Sequence, residues 1–401
     1  MVIQPKIRGF ICTTSHPEGC FNVVKEQINY VKSHGTFEGP KNVLVIGSST
    51  GYGLASRIAV TFGANAKTIG VFFEKEADEK RTATAGWYNT AAFEKIAHAE
   101  GHYAKSINGD AFSHEIKKRT ADLIRQDLKQ VDLIIYSLAS PRRIHPDTQQ
   151  IFSSVLKPIG QNYTSKTVDA FRGEVKEITL ESATEEEIQN TIAVMGGEDW
   201  EMWIDFLAKE NLLADGVKTV AYSYIGPAMT NPIYKKGTIG RAKDDLRDSA
   251  LKIEKKFQHL HGHAIISVNK AVVTQASAAI PVVPLYISLL FKIMKEKGTH
   301  EGCIEQMDRL FKDYLYADNF ARDAEGYIRL DDLEMDADIQ RKITEYWPQI
   351  TTENLSQLTD IEGYREDFYR LFGFSADHVD YQTDVDPNVK IDSIEMGVVD
   401  R

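Results

Sequence analysis

Disulfide bonding has little to work with in this chain. Its 401 residues include three cysteines, Cys12, Cys20 and Cys303, an odd number. Reduced thiols in a cytoplasmic protein are the plain reading, and a chain this long builds a core without covalent staples. Positive charge is also short. A net charge of −11 sets aside a nucleic-acid-binding role, which needs a basic face. Long apolar runs are missing too. The longest, AAIPVVPLYISLLF at 278–291, is too short and too broken by proline to span a membrane, and is read as a buried, kinked helix. The first residues, MVIQPKIRGFICTT, hold no apolar stretch of leader length, so no secretion leader is expected. There is no internal repeat and no low-complexity tract.

Metal-binding patterns are thin as well, and no metal is expected. In HLHGH, His259, His261 and His263 alternate, but no cysteine or acidic fourth ligand accompanies them. ARDAEGYIRLDD resembles a calcium loop around Gly326, yet its first and twelfth positions are Ala321 and Asp332. HPEGC (16–20) has no second cysteine at metal spacing and is read as a turn. The pair Trp200 and Trp203 is read as helix packing.

What is present is alternation. Strands are predicted at 42–47, 67–74, 103–109 and 131–139, with helices between them at 87–101 and 113–130. That order builds βαβ units and a parallel sheet. Residues 141–185 break the rhythm as a polar, hairpin-bearing insertion, followed by a helix near 198–213. Two further βα units follow, through TVAYSYIG (219–226), a charged helix (241–258) and a strand at 264–273. From about 320 the chain is acidic and mainly helical, and reads as a peripheral cap.

GSSTGYG leaves the first strand and opens a helix: Gly47, Ser48, Ser49, Thr50, Gly51, Tyr52, Gly53. Glycines there allow a sharp turn and a close approach to a pyrophosphate, whose charge meets the free N–H groups of the helix start. Glu74, twenty-one residues beyond Gly53, ends the second strand. A carboxylate at that place accepts the adenosine ribose hydroxyls and repels a 2′-phosphate, which favours NADH over NADPH. Its plain alternative is a solvent-facing strand end, with Lys75 beside it. Asp110, after the third strand, suits an adenine amino group, and Leu138 and Ala139 end the fourth strand along the cofactor's path.

The fifth strand should deliver Tyr222 or Tyr224 to the same edge. IYKKGTIGRAK then places Tyr234 and Lys243 nine positions apart. A phenol is a hydrogen-bond donor at neutral pH and can stabilise an enolate forming at a carbonyl; a nearby ammonium favours the phenolate and can clamp a nicotinamide ribose. Tyrosine is common here, 17 residues, so the spacing alone arises by chance and its location carries the weight. The Tyr-x3-Lys of ketone and alcohol dehydrogenases is absent at the expected strand. A non-catalytic NADH-responsive protein would not need the full Tyr, Tyr and Lys set.

GSSTGYGLASRIA, FFEKE, INGDAF, YSLASP, MGGEDWEMWI, AYSYIGPAMTNPIYKKGTIGRAKDDL and VTQASAAIPVVPLYISLLFK with KEKGTHEGCIEQM resemble the FabV family, NADH-dependent trans-2-enoyl-ACP and trans-2-enoyl-CoA reductases. The resemblance runs over essentially the whole chain. It implies an α/β fold: an enlarged Rossmann, short-chain-dehydrogenase-like parallel sheet with helices on both faces, in a cytoplasmic monomer. Residues 1–320 would form the NADH-binding and catalytic unit, with a substrate-site insertion near 141–215, and 321–401 a C-terminal cap on the same unit. It further implies that Gly47 to Tyr52, Phe73, Glu74, Asp110, Ala111, Leu138, Ala139, Lys243, Val272, Val273 and Thr274 hold NADH. Tyr224 would contact substrate, Tyr234 donate the proton and Lys243 bind the cofactor. The substrate would be an enoyl-acyl carrier protein or an enoyl-CoA, and the motifs do not separate the two. The family's C-terminal segment is sometimes labelled flavin-binding; nothing in these residues requires flavin. Lys235, Lys236, Arg241 and Lys243, with Arg142 and Arg143, could form a basic patch for an acidic carrier protein or a phosphopantetheine. Solvated loop charges are the equal alternative.

Overall fold

The computed structural model describes residues 1–318 and 320–394. Seven strands make one sheet: β1 (Asn42–Ile46), β2 (Lys67–Phe72), β3 (Ala104–Asn108), β4 (Val131–Tyr136), β5 (Leu213–Ser223), β6 (His263–Val268) and β7 (Tyr327–Arg329). Their spatial order is β3-β2-β1-β4-β5-β6-β7, and every pairing is parallel. The strand order reverses between β1 and β4, which opens a crevice at the carboxyl edge there.

Alternation of side chains explains the continuous apolar runs. Val43 and Val45 pack with helices α1 (Pro17–Ser33), α2 (Gly51–Ala64) and α3 (Ala85–Ala99) on one face. Leu44 and Ile46 pack on the other, with α4 (His114–Leu123), α5 (Glu185–Met195) lying nearby, α6 (Glu198–Lys209) and α7 (Thr238–Phe257) completing that side. A sheet covered on both faces has no polar face to show. Trp200 and Trp203 of α6 are fully buried; their indole N–H groups donate to Thr219 Oγ1 at 2.9 Å and to the Ala111 carbonyl at 3.1 Å.

Several expectations shift. HPEGC is more than a turn: His16 caps α1, its Nδ1 accepting from Gly19 N–H at 3.2 Å, and Pro17 takes the first helical position. Helix α5 begins where the insertion read at 141–185 ends and precedes the helix expected near 198–213; its Thr184–Glu187 capping box is the signal that marks it. The hairpin is there, Tyr163–Asp169 against Glu174–Leu180. The strand expected at 264–273 stops at Val268, and Ala271 to Thr274 form a loop into α8 (Gln275–Ala278). The apolar run breaks at Ile280 to Val282 and resumes as α9 (Val283–Lys297), buried along most of its length. No helix among the described residues is long and apolar enough to cross a membrane.

The tail enters the core of the fold. Its β7 pairs with β6 through Ile266–Tyr327, Ser267–Ile328 and Val268–Arg329. Beyond the short helix α10 (Cys303–Arg309), which packs on α2, the later helices α11 (Ala337–Tyr346), α12 (Leu355–Leu358) and α13 (Ile361–Arg370) gather around α9. The sequence shows a polar, acidic tail; the sheet pairing is non-local and leaves no local signature.

Candidate active site

The glycine turn packs closely on the strand end it leaves. Gly53 lies so close to the preceding turn that a Cβ there would stand 1.8 Å from the Gly47 carbonyl oxygen. Only a residue without a side chain lets α2 start this near β1. The first-turn N–H groups of α2 have no intrahelical acceptors, and no acidic side chain occupies that turn. They face a cavity of about 730 Å³ whose wall includes Gly47, Ser49, Thr50, Gly51 and Tyr52. Ser48 is off that wall: it is fully buried, and its N–H donates to the Val71 carbonyl at 3.1 Å.

Phe73, Glu74, Asp110, Ala111, Leu138 and Ala139 continue the same wall, as the sequence predicts. Glu74 accepts a hydrogen bond from Ser49 Oγ at 2.7 Å, which ties the second strand end to the phosphate turn. Burial raises its pKa, and hydrogen bonds from Thr84 and Ser49 offset part of that rise. The Asp110 loop is held from below. Lys117, fully buried, donates to the carbonyls of Ala111 (3.1 Å) and Phe112 (2.9 Å) and pairs with Asp199 at 2.7 Å. Val272 and Val273 lie off this wall. They line a second cavity, of about 390 Å³, which shares Thr50, Gly51, Thr274 and Gln275 with the first.

The tyrosines stand where β5 ends. Tyr222 is its penultimate residue, and Tyr224 is the first residue after it, directly past Ser223. The chain then turns to present Tyr234 ahead of α7. Gly240 makes this possible, since a Cβ there would sit 2.2 Å from the Lys235 carbonyl oxygen. Thr238 N–H donates to the Lys157 carbonyl at 3.0 Å, so the 141–215 insertion pins the start of α7. The Tyr224 and Tyr234 rings meet edge to face, 4.8 Å between centroids at 78°.

Lys243 lies on the cavity wall with Tyr222, and its Nζ donates to the Tyr222 carbonyl at 3.0 Å. Burial pulls its pKa down to about 8. Burial, and then the charge of Glu334, push the Tyr234 phenol upward. The expected coupling, in which the ammonium favours a Tyr234 phenolate, is therefore not what this geometry gives: the phenol stays a protonated donor, and the lysine anchors a backbone carbonyl.

The hydroxyls around this edge differ in one respect. Tyr52 donates to the Lys270 carbonyl at 2.6 Å. Tyr222 shares a hydrogen bond with Ser56. Tyr224 and Tyr286 both reach Glu334 Oε1, at 2.9 and 2.6 Å. The Tyr234 hydroxyl has no hydrogen-bond partner among the described residues. It is the uncommitted donor.

Two other sequence features resolve plainly. Arg143 is 1% exposed and pairs with Glu198 at 2.7 Å, so it belongs to no surface patch; Arg142, Lys235, Lys236 and Arg241 are exposed. His261 faces Asp215 and His263 faces Glu254, each at 3.0 Å, so the alternating histidines do not converge.

A parallel sheet of this order, with a glycine turn at its switch point, an acidic residue two positions past the second strand and a tyrosine–lysine pair beyond the fifth, defines a Rossmann-type dinucleotide-dependent oxidoreductase. Residues 81–316 match the trans-2-enoyl-CoA reductase catalytic region, and residues 2–79 the NAD(P)H binding domain of trans-2-enoyl-CoA reductase. The chain belongs to this enoyl reductase family, as its motifs suggested. It is 57% identical to the trans-2-enoyl-CoA reductase [NADH] of Ruminiclostridium cellulolyticum, over 98% of this chain and 100% of the relative. It is 61% identical to an enoyl-[acyl-carrier-protein] reductase [NADH] of Coxiella burnetii, over 99% and 98%. The crystal structure of Treponema denticola trans-2-enoyl-CoA reductase in complex with NAD superposes with a TM-score of 0.93 at 49% identity, covering 96% of this chain and 98% of that one.

Residues 322–385 match an enoyl reductase FAD binding domain. The residues present do not fit a flavin. The segment's glycines, Gly326, Gly363 and Gly373, form no strand-to-helix phosphate turn, and its buried face is taken up by β6 and α9.

Proposed function

We propose that this chain reduces the carbon–carbon double bond of trans-2-enoyl thioesters, on CoA or on acyl carrier protein, with NADH, as in the last step of a fatty-acid elongation cycle. The uncommitted Tyr234 hydroxyl carries the reading: Tyr234 lines neither cavity itself, but it packs on Tyr224, which follows the strand whose Tyr222 lines the cofactor cavity together with Lys243. NADH bound across the carboxyl edge supplies hydride to the β-carbon. The helix start at Gly51 and the wall from Gly47 to Tyr52 seat its pyrophosphate. Glu74 holds the adenosine ribose, Asp110 and Ala111 border the adenine, and Lys243 holds the nicotinamide ribose. Val272, Val273 and Thr274 lie on the nicotinamide side.

Tyr234 donates to the thioester oxygen, where negative charge grows as the β-carbon is reduced, and the α-carbon then takes a proton. The raised pKa suits a donor that keeps its proton until that moment. Tyr224, packed against it, borders the substrate. In this reading residues 1–320 and 321–401 form one working unit, residues 319 and 395–401 lying outside the described ones. The unit acts as a cytoplasmic monomer, which light scattering near 45.1 kDa would check.

The deciding assay follows NADH and NADPH oxidation with crotonyl-CoA, a longer enoyl-CoA and the matching enoyl-acyl carrier protein. Faster turnover with NADH on at least one carrier is expected. No oxidation with any of the three would end the proposal.

A further inference from the structure

Glu334 is fully buried, in the turn that follows β7, and nothing in the sequence marks it. Both its oxygens are engaged. Oε1 accepts from the Tyr224 hydroxyl at 2.9 Å and the Tyr286 hydroxyl at 2.6 Å; Oε2 accepts from the Ala271 N–H at 2.7 Å. Its own turn is held in place by Gln340, whose Nε2 donates to the Glu334 carbonyl at 2.7 Å. A carboxylate enclosed this completely is costly unless donors surround it, and three do. They come from separate parts of the chain. Tyr224 follows β5, Ala271 opens the loop that carries Val272 to Thr274, and Tyr286 is on the buried helix α9.

We propose that Glu334 is a positioning residue for the substrate half of the site: from the C-terminal segment it engages the Tyr224 hydroxyl, fixes that ring against Tyr234, and leaves Tyr234 as the one free donor for the thioester oxygen. The inference rests on the roles given above to Tyr224 and Tyr234. A hydroxyl that donates to Glu334 cannot donate to substrate as well. Without Glu334, two phenols standing edge to face would compete for one oxygen, and the Tyr224 ring would lose the contact that sets its angle. The C-terminal segment thus completes the active site with a single carboxylate.

The test compares the parent protein with Glu334→Gln, Tyr224→Phe and the double variant. It measures kcat and KM for crotonyl-CoA, the NADH dissociation constant by fluorescence, and Tm. Glu334→Gln should lower kcat/KM about tenfold or more while NADH affinity stays within about twofold. Because Glu334 acts through Tyr224, the double variant should be no slower than Tyr224→Phe within about twofold. A general loss of structure would move NADH affinity and Tm and would multiply the two effects. A Glu334→Gln protein with kcat/KM within about twofold of the parent overturns the proposal, and so do effects that multiply in the double variant. A silent Tyr224→Phe in an active parent overturns it together with the role of Tyr224, and leaves the proposed reaction standing. A parent inactive on every enoyl thioester is the separate failure of the reaction itself, and takes this proposal with it. If Glu334→Gln does not fold, Tyr286→Phe reads the network from its far side. A loss of several-fold in kcat/KM at unchanged NADH affinity is then expected, and none counts against the proposal.

Discussion

The two halves of the carboxyl edge are built on opposite plans. The cofactor half, from β3 to β4, is a wall of backbone, glycine and mixed side chains, large ones such as Phe73, Phe112 and Tyr136 among them, and in the proposed function its specificity rests on Glu74 and on the free N–H groups of a helix. The substrate half, beyond β5, is a cluster of aromatic rings in which, among the described residues, the Tyr224 and Tyr286 hydroxyls are committed to Glu334 and the Tyr234 hydroxyl has no partner. In the proposed function one half recognises by leaving backbone groups available, and the other selects a single donor by occupying its rivals. A pyrophosphate needs many weak, similar contacts, whereas a developing enolate needs one proton donor at one place.

The sharpest way to separate the halves is to remove that donor. Tyr234→Phe should cut kcat/KM for an enoyl-CoA by about 10²–10³-fold, the range for loss of a hydrogen bond made to developing charge. NADH affinity, read by fluorescence titration, should hold; a weakened affinity would mean that the halves are not independent. Gly53→Ala attacks the other half. With its Cβ forced against the Gly47 carbonyl, the turn must open. KM for NADH should rise about tenfold, and overpacking should cost about 1–3 kcal/mol, visible as a lower Tm.

Lys243 joins the halves, and Lys243→Met should weaken NADH binding and lower kcat together. It should also raise the Tm of the cofactor-free protein by a few degrees. Burial lowers the folded-state pKa of Lys243 to about 8 from an unfolded value near 10.5, so the folded protein binds protons less readily there, and below pH 8 the charge counts against folding. The same value predicts that kcat/KM declines as pH rises through about 8, where Lys243 loses its proton. The smallest expected effect is at the rim. Reversing Lys235 and Lys236 to Glu should raise KM for an enoyl-acyl carrier protein a few-fold at constant kcat, and an unchanged KM would mean that these exposed charges are solvated only.

Legibility in the sequence follows the same divide. The cofactor half is local: GSSTGYG, Glu74, Asp110 and Leu138 each sit at the end of a strand whose apolar run identifies it, so position in the βαβ rhythm places them. Tyr234 and Lys243 were also reachable, through their spacing after the fifth strand. Glu334 was not. It lies in DDLEMDAD, among acidic neighbours that read as a solvated surface, and it is buried only because β7 pairs with β6 and carries the next turn under Tyr224. Arg143 fails in the same way: its charge suggested a surface, and only packing against α6 shows it buried while it pairs with the exposed Glu198. Long-range pairing decides both cases, and no local spacing records it.

Strand β7 also bears on how the molecule is made. A ribosome releases β6 well before residues 269–326 and then β7 have emerged, an interval of several seconds at roughly 5–20 residues per second. Until then β6 is a bare sheet edge, able to pair with any neighbouring chain. A message cut short before Tyr327 would therefore yield more than an inactive protein: it would yield a chain with an unsealed edge, and inclusion bodies are its natural fate.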